Sequence, residues 1–185
     1  MSDFLIEHFK QIIPLDEKEA AYIASHFTYK KFKKHQFVVQ EGSPVPYSFL
    51  VAKGSLKSYH TDDNGKEHIL QFGFENWWIT DFHAYSNETP ATIHVDCMED
   101  SELYCLSLQD REKLCLEMHK VAYFFLTKAN KGYLALQQRI LSLLNSNAKE
   151  RYEQLLLLYP GILNKVPKQL IAAYLGVSRE TLSRL

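Results

Sequence analysis

The chain has 185 residues, of which 46% are hydrophobic and 13% aromatic, and its 21 Lys and Arg against 22 Asp and Glu leave a net charge of −1. That length and apolar content suffice for a barrel-sized domain plus a small helical one, and the charge excludes a uniformly basic nucleic-acid coat. The N-terminal MSDFLIEHFK lacks the basic lead and apolar run of a signal peptide, and no stretch reaches the roughly 20 apolar residues of a membrane span, so a cytoplasmic protein with no membrane partner is expected.

Asp3 to Ile13 and Asp16 to Phe27 read as amphipathic helices separated by Pro14. From His35 to Leu108 the pattern shifts to short strands with turn punctuation. Gly42, Pro44 and Pro46 mark one turn, Gly54 another, and Asp63-Asn64-Gly65 a tight hairpin. Ala91, Ile93, Val95 and Cys97 alternate with Thr92, His94, Asp96 and Met98, as on a half-buried strand. Strands this short and frequent predict a sandwich or small antiparallel β-barrel. Cys97, Cys105 and Cys115 are an odd set without a metal spacing, and they read as buried reduced thiols. The eight histidines form no His-x-His or i,i+4 pair, so neither a metal site nor a cofactor is expected.

A short helix is predicted around Asp110 to Met118, and a long one over 119–145. Within the long helix Ala122, Phe125, Ala129, Gly132, Leu136, Ile140 and Leu143 recur every three or four residues, averaging 3.5, which is the period of a coiled-coil seam. A homodimer through these seven residues is therefore expected; the competing reading packs the stripe on the chain's own domain. Asn145-Ser146-Asn147 reads as a hinge, and Lys149 to Leu158 as a further helix stopped by Tyr159-Pro160-Gly161.

Pro167 to Leu185 (PKQLIAAYLGVSRETLSRL) reads as two short helices around a glycine turn. Pro167 suits a first helical turn, Ile171 and Leu175 lie four apart, Ala172 is small where a second helix must cross, and Gly176 can end the first helix in the left-handed conformation. Ser178 is a good N-cap for the second helix. At about 100° per residue, Leu182 and Leu185 fall on one side, and Arg179, Glu180, Ser183 and Arg184 on the other. Arginine can bind O6 and N7 of guanine, glutamate can accept from N4 of cytosine, and the hydroxyls of Ser178 and Thr181 suit a phosphate. From Ser146 onward six basic residues face three acidic ones, so this segment carries +3 and the rest of the chain −4. With Lys168 as a backbone contact, the stretch is predicted to bind double-stranded DNA.

The string Gly176-Val177-Ser178-Arg179-Glu180-Thr181-Leu182-Ser183-Arg184 resembles the recognition motif of the Crp/Fnr transcription regulators. The resemblance implies an α+β chain in three parts. Residues 1–118 would form a cyclic-nucleotide-binding-like barrel of jelly-roll (double-stranded β-helix) type, 119–145 the dimerisation helix, and 146–185 a winged-helix-type helix-turn-helix domain. The chain ends at Leu185, about two turns into the second helix, where the family usually continues, so a short further tail is expected. RNA polymerase and a small-molecule effector are further implied partners.

Gly42 to Gly54 resembles the opening of the family's barrel, and Phe74-Glu75-Asn76-Trp77-Trp78 occupies the place of its phosphate-binding cassette. Phe74, Glu75, Trp77 and Trp78 are accordingly the candidate effector residues, with barrel core or contact with the long helix as the competing reading of the tryptophans. Family members that bind a cyclic nucleotide have an arginine downstream, where this chain has Thr89-Pro90-Ala91-Thr92, and no Lys or Arg lies between Lys66 and Arg111. Cyclic AMP is therefore not the expected effector. Iron–sulfur sensing is not expected either, because the family's oxygen sensor uses cysteines near its N-terminus and none here precedes Cys97. Two other classes share part of the pattern: a ligand-sensing module acting through protein partners, and a metal-dependent cupin enzyme with Gly54, His60, Asp62 and Glu67 in its first motif.

Overall fold

The computed structural model describes residues 2–185. The chain opens with helices α1 (Ser2–Lys10) and α2 (Glu17–Ser25). Strands β1 (Thr28–Phe32), β2 (Phe37–Val39), β3 (Ser48–Lys53), β4 (Leu56–Thr61), β5 (Glu67–Gly73) and β6 (Trp78–Ile79) follow. Helix α3 (Phe82–Asn87) separates these from β7 (His94–Cys97) and β8 (Ser101–Leu106). Helix α4 (Leu108–Glu117) leads into the long α5 (His119–Asn145), and α6 (Ala148–Leu158), α7 (Ile162–Lys165), α8 (Lys168–Leu175) and α9 (Arg179–Ser183) complete the chain. No helix among the described residues is long and apolar enough to cross a membrane.

The strands pair antiparallel in two sheets, ordered β1-β8-β3-β6 and β2-β7-β4-β5. The expected barrel is thus an open jelly-roll sandwich. Between named strands no ladder joins the sheets, because β2 and β6 are only three and two residues long and β2 slips register between Phe37 and Val39. A further isolated bridge is Pro44 to Pro90, and proline has no amide to extend it. Side chains fill the interior: Phe49, Val51, Leu56, Ile79, Tyr85, Val95, Leu103 and the thiols of Cys97 and Cys105 form one buried cluster. Burial pushes both thiols up to about 11, so they stay protonated at neutral pH. Gly54 is indispensable in the β3–β4 turn, with φ +96° and the Ser101 side chain and Asp100 carbonyl where a Cβ would sit.

The helices cover the outer faces. On one sheet, α1, α2, α4 and α5 bury Leu5, Phe9, Ile23, Leu114, Val121 and Phe124 against Leu50, Tyr104 and Leu106, with the rings of Phe9 and Phe124 stacked 4.1 Å apart. Asp16 and Glu19 form a capping box at the start of α2, and Asn147 and Glu150 form another at α6, which breaks the chain between α5 and α6 at the expected hinge. On the other sheet, Tyr59, Ile69 and Phe72 pack with Leu155, Ile162, Val166, Ile171, Ala172, Leu175 and Leu182, so the C-terminal helices dock on their own sandwich. Residues 146–185 hold no strand among the described residues, so the wing of a winged helix does not lie in this segment.

Candidate nucleic-acid interface

The two-helix unit forms as its sequence dictates. Gly176 ends α8 at φ +69°, the Val177 amide donates to the Ala172 carbonyl at 3.0 Å, and the Gly176 amide donates to Ala173 at 3.3 Å. This is the paired bonding of a Schellman stop, and it turns the chain sharply enough for α9 to cross Ala172. Ser178 caps α9 by accepting from the Thr181 amide at 3.1 Å, and Leu182, 6% exposed, pins the helix to Ile171 and Leu175. Arg179, Glu180, Thr181, Ser183, Arg184 and Lys168 are all exposed. Burial of Leu182 on one side leaves a continuous polar face on the other.

Not every hydroxyl on that face is equally free. Ser183 donates to the Arg179 carbonyl at 2.9 Å, and one of the Ser178 and Thr181 hydroxyls donates to the other at 3.1 Å, so one O–H of the three stays free to donate. Arg179 and Arg184 have no ion-pair partner among the described residues, and Glu180 is held ionised below the usual carboxylate range by its own backbone amide and by Ser178. Two guanidiniums and one carboxylate on a single turn and a half match the donors and acceptors of a G·C pair.

The expected effector residues divide: the rings of Phe74 and Trp77 meet at 6.1 Å, while Trp78 lies apart from them. Trp78 points into the helical layer, where its Nε1–H donates to His8 Nε2 at 3.2 Å and its ring meets Phe125 at 5.5 Å. Phe74 and Trp77 turn the other way, toward Lys165 and Tyr159, and Glu75 is exposed. The left-handed Asn76 at φ +70° separates the two tryptophans. A residue missed by sequence reasoning stands nearby. The carboxylate of Asp81, 3% exposed, accepts from the Ala84 amide at 3.0 Å, the Thr92 amide at 2.7 Å and the Thr92 hydroxyl at 2.9 Å. Burial alone would raise its pKa, but these donors outweigh burial and hold it ionised below the usual range.

Along α5 the expected seam divides. Ala122 is half-buried, and Phe125 belongs to the chain's own core, with its ring at 6.0 Å from Phe9 and 5.3 Å from Phe124; the competing intrachain reading holds there. Ala129, Gly132, Leu136, Ile140 and Leu143 are exposed, as are Tyr133, Leu134 and Leu144. So large an exposed apolar strip on one helix exceeds the single scattered residues ordinary on a protein surface. Sequence reasoning also passed over Arg139, the single charge in the second half of α5. Its guanidinium donates to the carbonyls of Leu70 and Ile69 at 2.6 Å each and of Tyr174 at 3.1 Å, and lies 3.6 Å from the Tyr174 ring centre. One side chain thereby joins the long helix, the β4–β5 hairpin and the first reader helix. The cupin-like set does not converge: Glu67 bonds Lys57 at 2.5 Å, and Asp62 closes the hairpin through the Asn64 and Lys66 amides and His68.

Residues 29–118 match the sequence model of the family described as "Cyclic nucleotide-binding domain". No curated protein sequence matches the chain. Among solved structures, FixK2 from Bradyrhizobium japonicum is 20% identical with a TM-score of 0.74, covering 85% of this chain and 81% of that one. The c-di-GMP responsive global regulator CLP of Xanthomonas campestris is 16% identical with a TM-score of 0.71, covering 91% and 89%. A crp/fnr-family protein from Eubacterium rectale is 17% identical with a TM-score of 0.71, covering 94% and 85%. Residues 29–118 are therefore similar to the cyclic nucleotide-binding domain, and the chain as a whole shares the fold of these solved structures.

Proposed function

We propose that the protein is a sequence-specific transcription regulator that binds DNA as a homodimer, reading each half-site with α9. The observation that carries this is the pairing of a buried Leu182 with an exposed Arg179, Glu180, Ser183 and Arg184 on a helix set by a Schellman turn. Residues 1–118 serve as the sensor, 119–145 as the dimer helix and 146–185 as the reader. Glu180 and Arg184 are common to the base-reading sets of the family's cyclic-AMP-responsive and oxygen-responsive members, whose half-sites TGTGA and TTGAT share TGA. The operator is therefore an inverted repeat of TGA-containing half-sites, with Arg179 or Ser183 setting the flanking preference and Lys168 holding phosphate. Two α9 helices related by a two-fold axis enter successive major grooves about 34 Å apart. RNA polymerase is the downstream partner at promoters.

The effector is not a cyclic nucleotide. No Lys or Arg lies between Lys66 and Arg111, and the Asp81 carboxylate is bonded to the Thr92 amide and hydroxyl. A second anion there would meet like charge rather than a counter-ion. Selection of binding sites from a random DNA pool tests the main assignment: an enriched inverted repeat carrying TGA is expected, and enriched sites without it overturn the assignment of Glu180 and Arg184.

A further inference from the structure

A sizeable cleft lies outside the sandwich. A cleft of about 740 Å³ runs between the C-terminal half of α5, α6 and the end of α8. Its walls include Leu134, Leu141, Leu158 and Tyr159, and two arginines, Arg139 and Arg151, stand in it. Both guanidiniums bond backbone carbonyls, and that of Arg139 also lies against the Tyr174 ring. Arg139 uses three donors on Ile69, Leu70 and Tyr174, and Arg151 uses two, on Leu175 at 3.1 Å and Ser146 at 2.7 Å. A guanidinium has five N–H donors, so each keeps some free. Among the described residues neither has a carboxylate within ion-pair distance. Burial depresses the Arg139 pKa, the mark of a cation taken from water without a counter-charge.

We propose that this cleft binds an organic anion with an aliphatic body, a carboxylate of the medium-chain fatty-acid class, with its charge on Arg139 and Arg151 and its chain along the leucines. The cleft's volume lies within the usual range of small-molecule sites, and an aliphatic wall with two uncompensated cations selects such a ligand over a neutral or cationic one. Arg139 also bonds the hairpin and α8, so the bound anion would sit on the side chain that sets the reader against the sensor.

The test is calorimetry of the full-length chain with decanoate and with decyltrimethylammonium, which share an alkyl chain and differ in charge. Decanoate is expected to bind once per chain and the cation not at all. Arg151→Gln should weaken decanoate by about ten- to a hundred-fold, the worth of a charged hydrogen bond, with Arg151→Lys recovering part of it. Ala135→Trp, at an exposed position on the cleft's edge, should abolish binding while a cooperative melt shows that the chain still folds. No decanoate binding up to about 1 mM, roughly the limit of weak specific association, overturns the proposal. So do equal affinity for the cation and binding unchanged in both variants. Binding seen only in a monomeric Leu136→Glu variant assigns the cleft to the second copy and overturns it as well.

Discussion

His8 should make the fold acid-sensitive in a calculable way. Its ring is fully buried, Nε2 accepts the Trp78 indole hydrogen at 3.2 Å, and Nδ1 faces the Asn76 side-chain oxygen at 3.2 Å. These partners fix one neutral tautomer, and a second proton would break the Trp78 bond. Burial, helped by Lys128 and partly opposed by the Asn76 bond, lowers the pKa from 6.5 to about 4. The unfolded chain therefore binds more protons than the folded one between these values. Stability is complete above about 6.5, falls as pH falls, and stops falling below about 4. At pH 5 the loss is about 2 kcal/mol, from roughly 1.4 kcal/mol per pKa unit, and it approaches about 3 kcal/mol below the folded pKa. Urea unfolding at about pH 7.5 and about pH 5, on wild type and His8→Gln at equal protein concentration, isolates the effect, because other titrating groups contribute to both proteins alike. Wild type should lose about 2 kcal/mol more than the variant over that interval. Equal losses would refute the neutral, buried imidazole.

On DNA, Arg184→Ala should cost about 1–3 kcal/mol of specific binding and relax discrimination at one base pair, as read by competition between operator and mismatched operators. Lys168→Ala should instead weaken all sequences alike and lower the slope of log affinity against log salt by about 1. Leu136→Glu places a charge in the exposed strip of α5 and should shift the dimer toward monomer in sedimentation at micromolar concentration; an unchanged mass would move the seam elsewhere. Calorimetry with cyclic AMP and cyclic GMP should show no binding at micromolar concentration, and a micromolar or tighter affinity would contradict the role given to Asp81.

The parts legible in the sequence are those whose information is local. Pro167, Ile171, Gly176, Ser178 and Leu182 each act within one or two helical turns, and all take the expected conformation. The boundaries of α5 and the hairpin at Gly65 read through for the same reason: a seven-residue period and a left-handed turn are written in consecutive residues. The short α3 and α7 went unread because six and four residues are too few to show a period. Phe125 packs partly on the chain's own core, because the stripe it belongs to continues unbroken from the packed half of α5 into the exposed half. Periodicity gives a residue's face and not what covers it.

What binds the C-terminal helices to the sandwich could not be read at all, and the reason is physical. Arg139 and Tyr174 are separated from each other and from Ile69 and Phe72 by 35 to 105 positions, yet all four meet on one sheet face through carbonyl bonds, a cation over a ring and a stacked pair at 5.3 Å. Main-chain carbonyls carry no side-chain signature, so a basic residue that bonds them looks like any solvated arginine in the sequence. Asp81 was hidden in the same way, since two of its three donors are backbone amides. The sandwich interior is filled by Phe49, Tyr85 and Leu103, while the contact with the C-terminal helices lies on the sheet's outer face, around Tyr59, Ile69 and Phe72. In this chain the surfaces that fix the reader's position are outside the sandwich, built from groups that only the folded chain brings together.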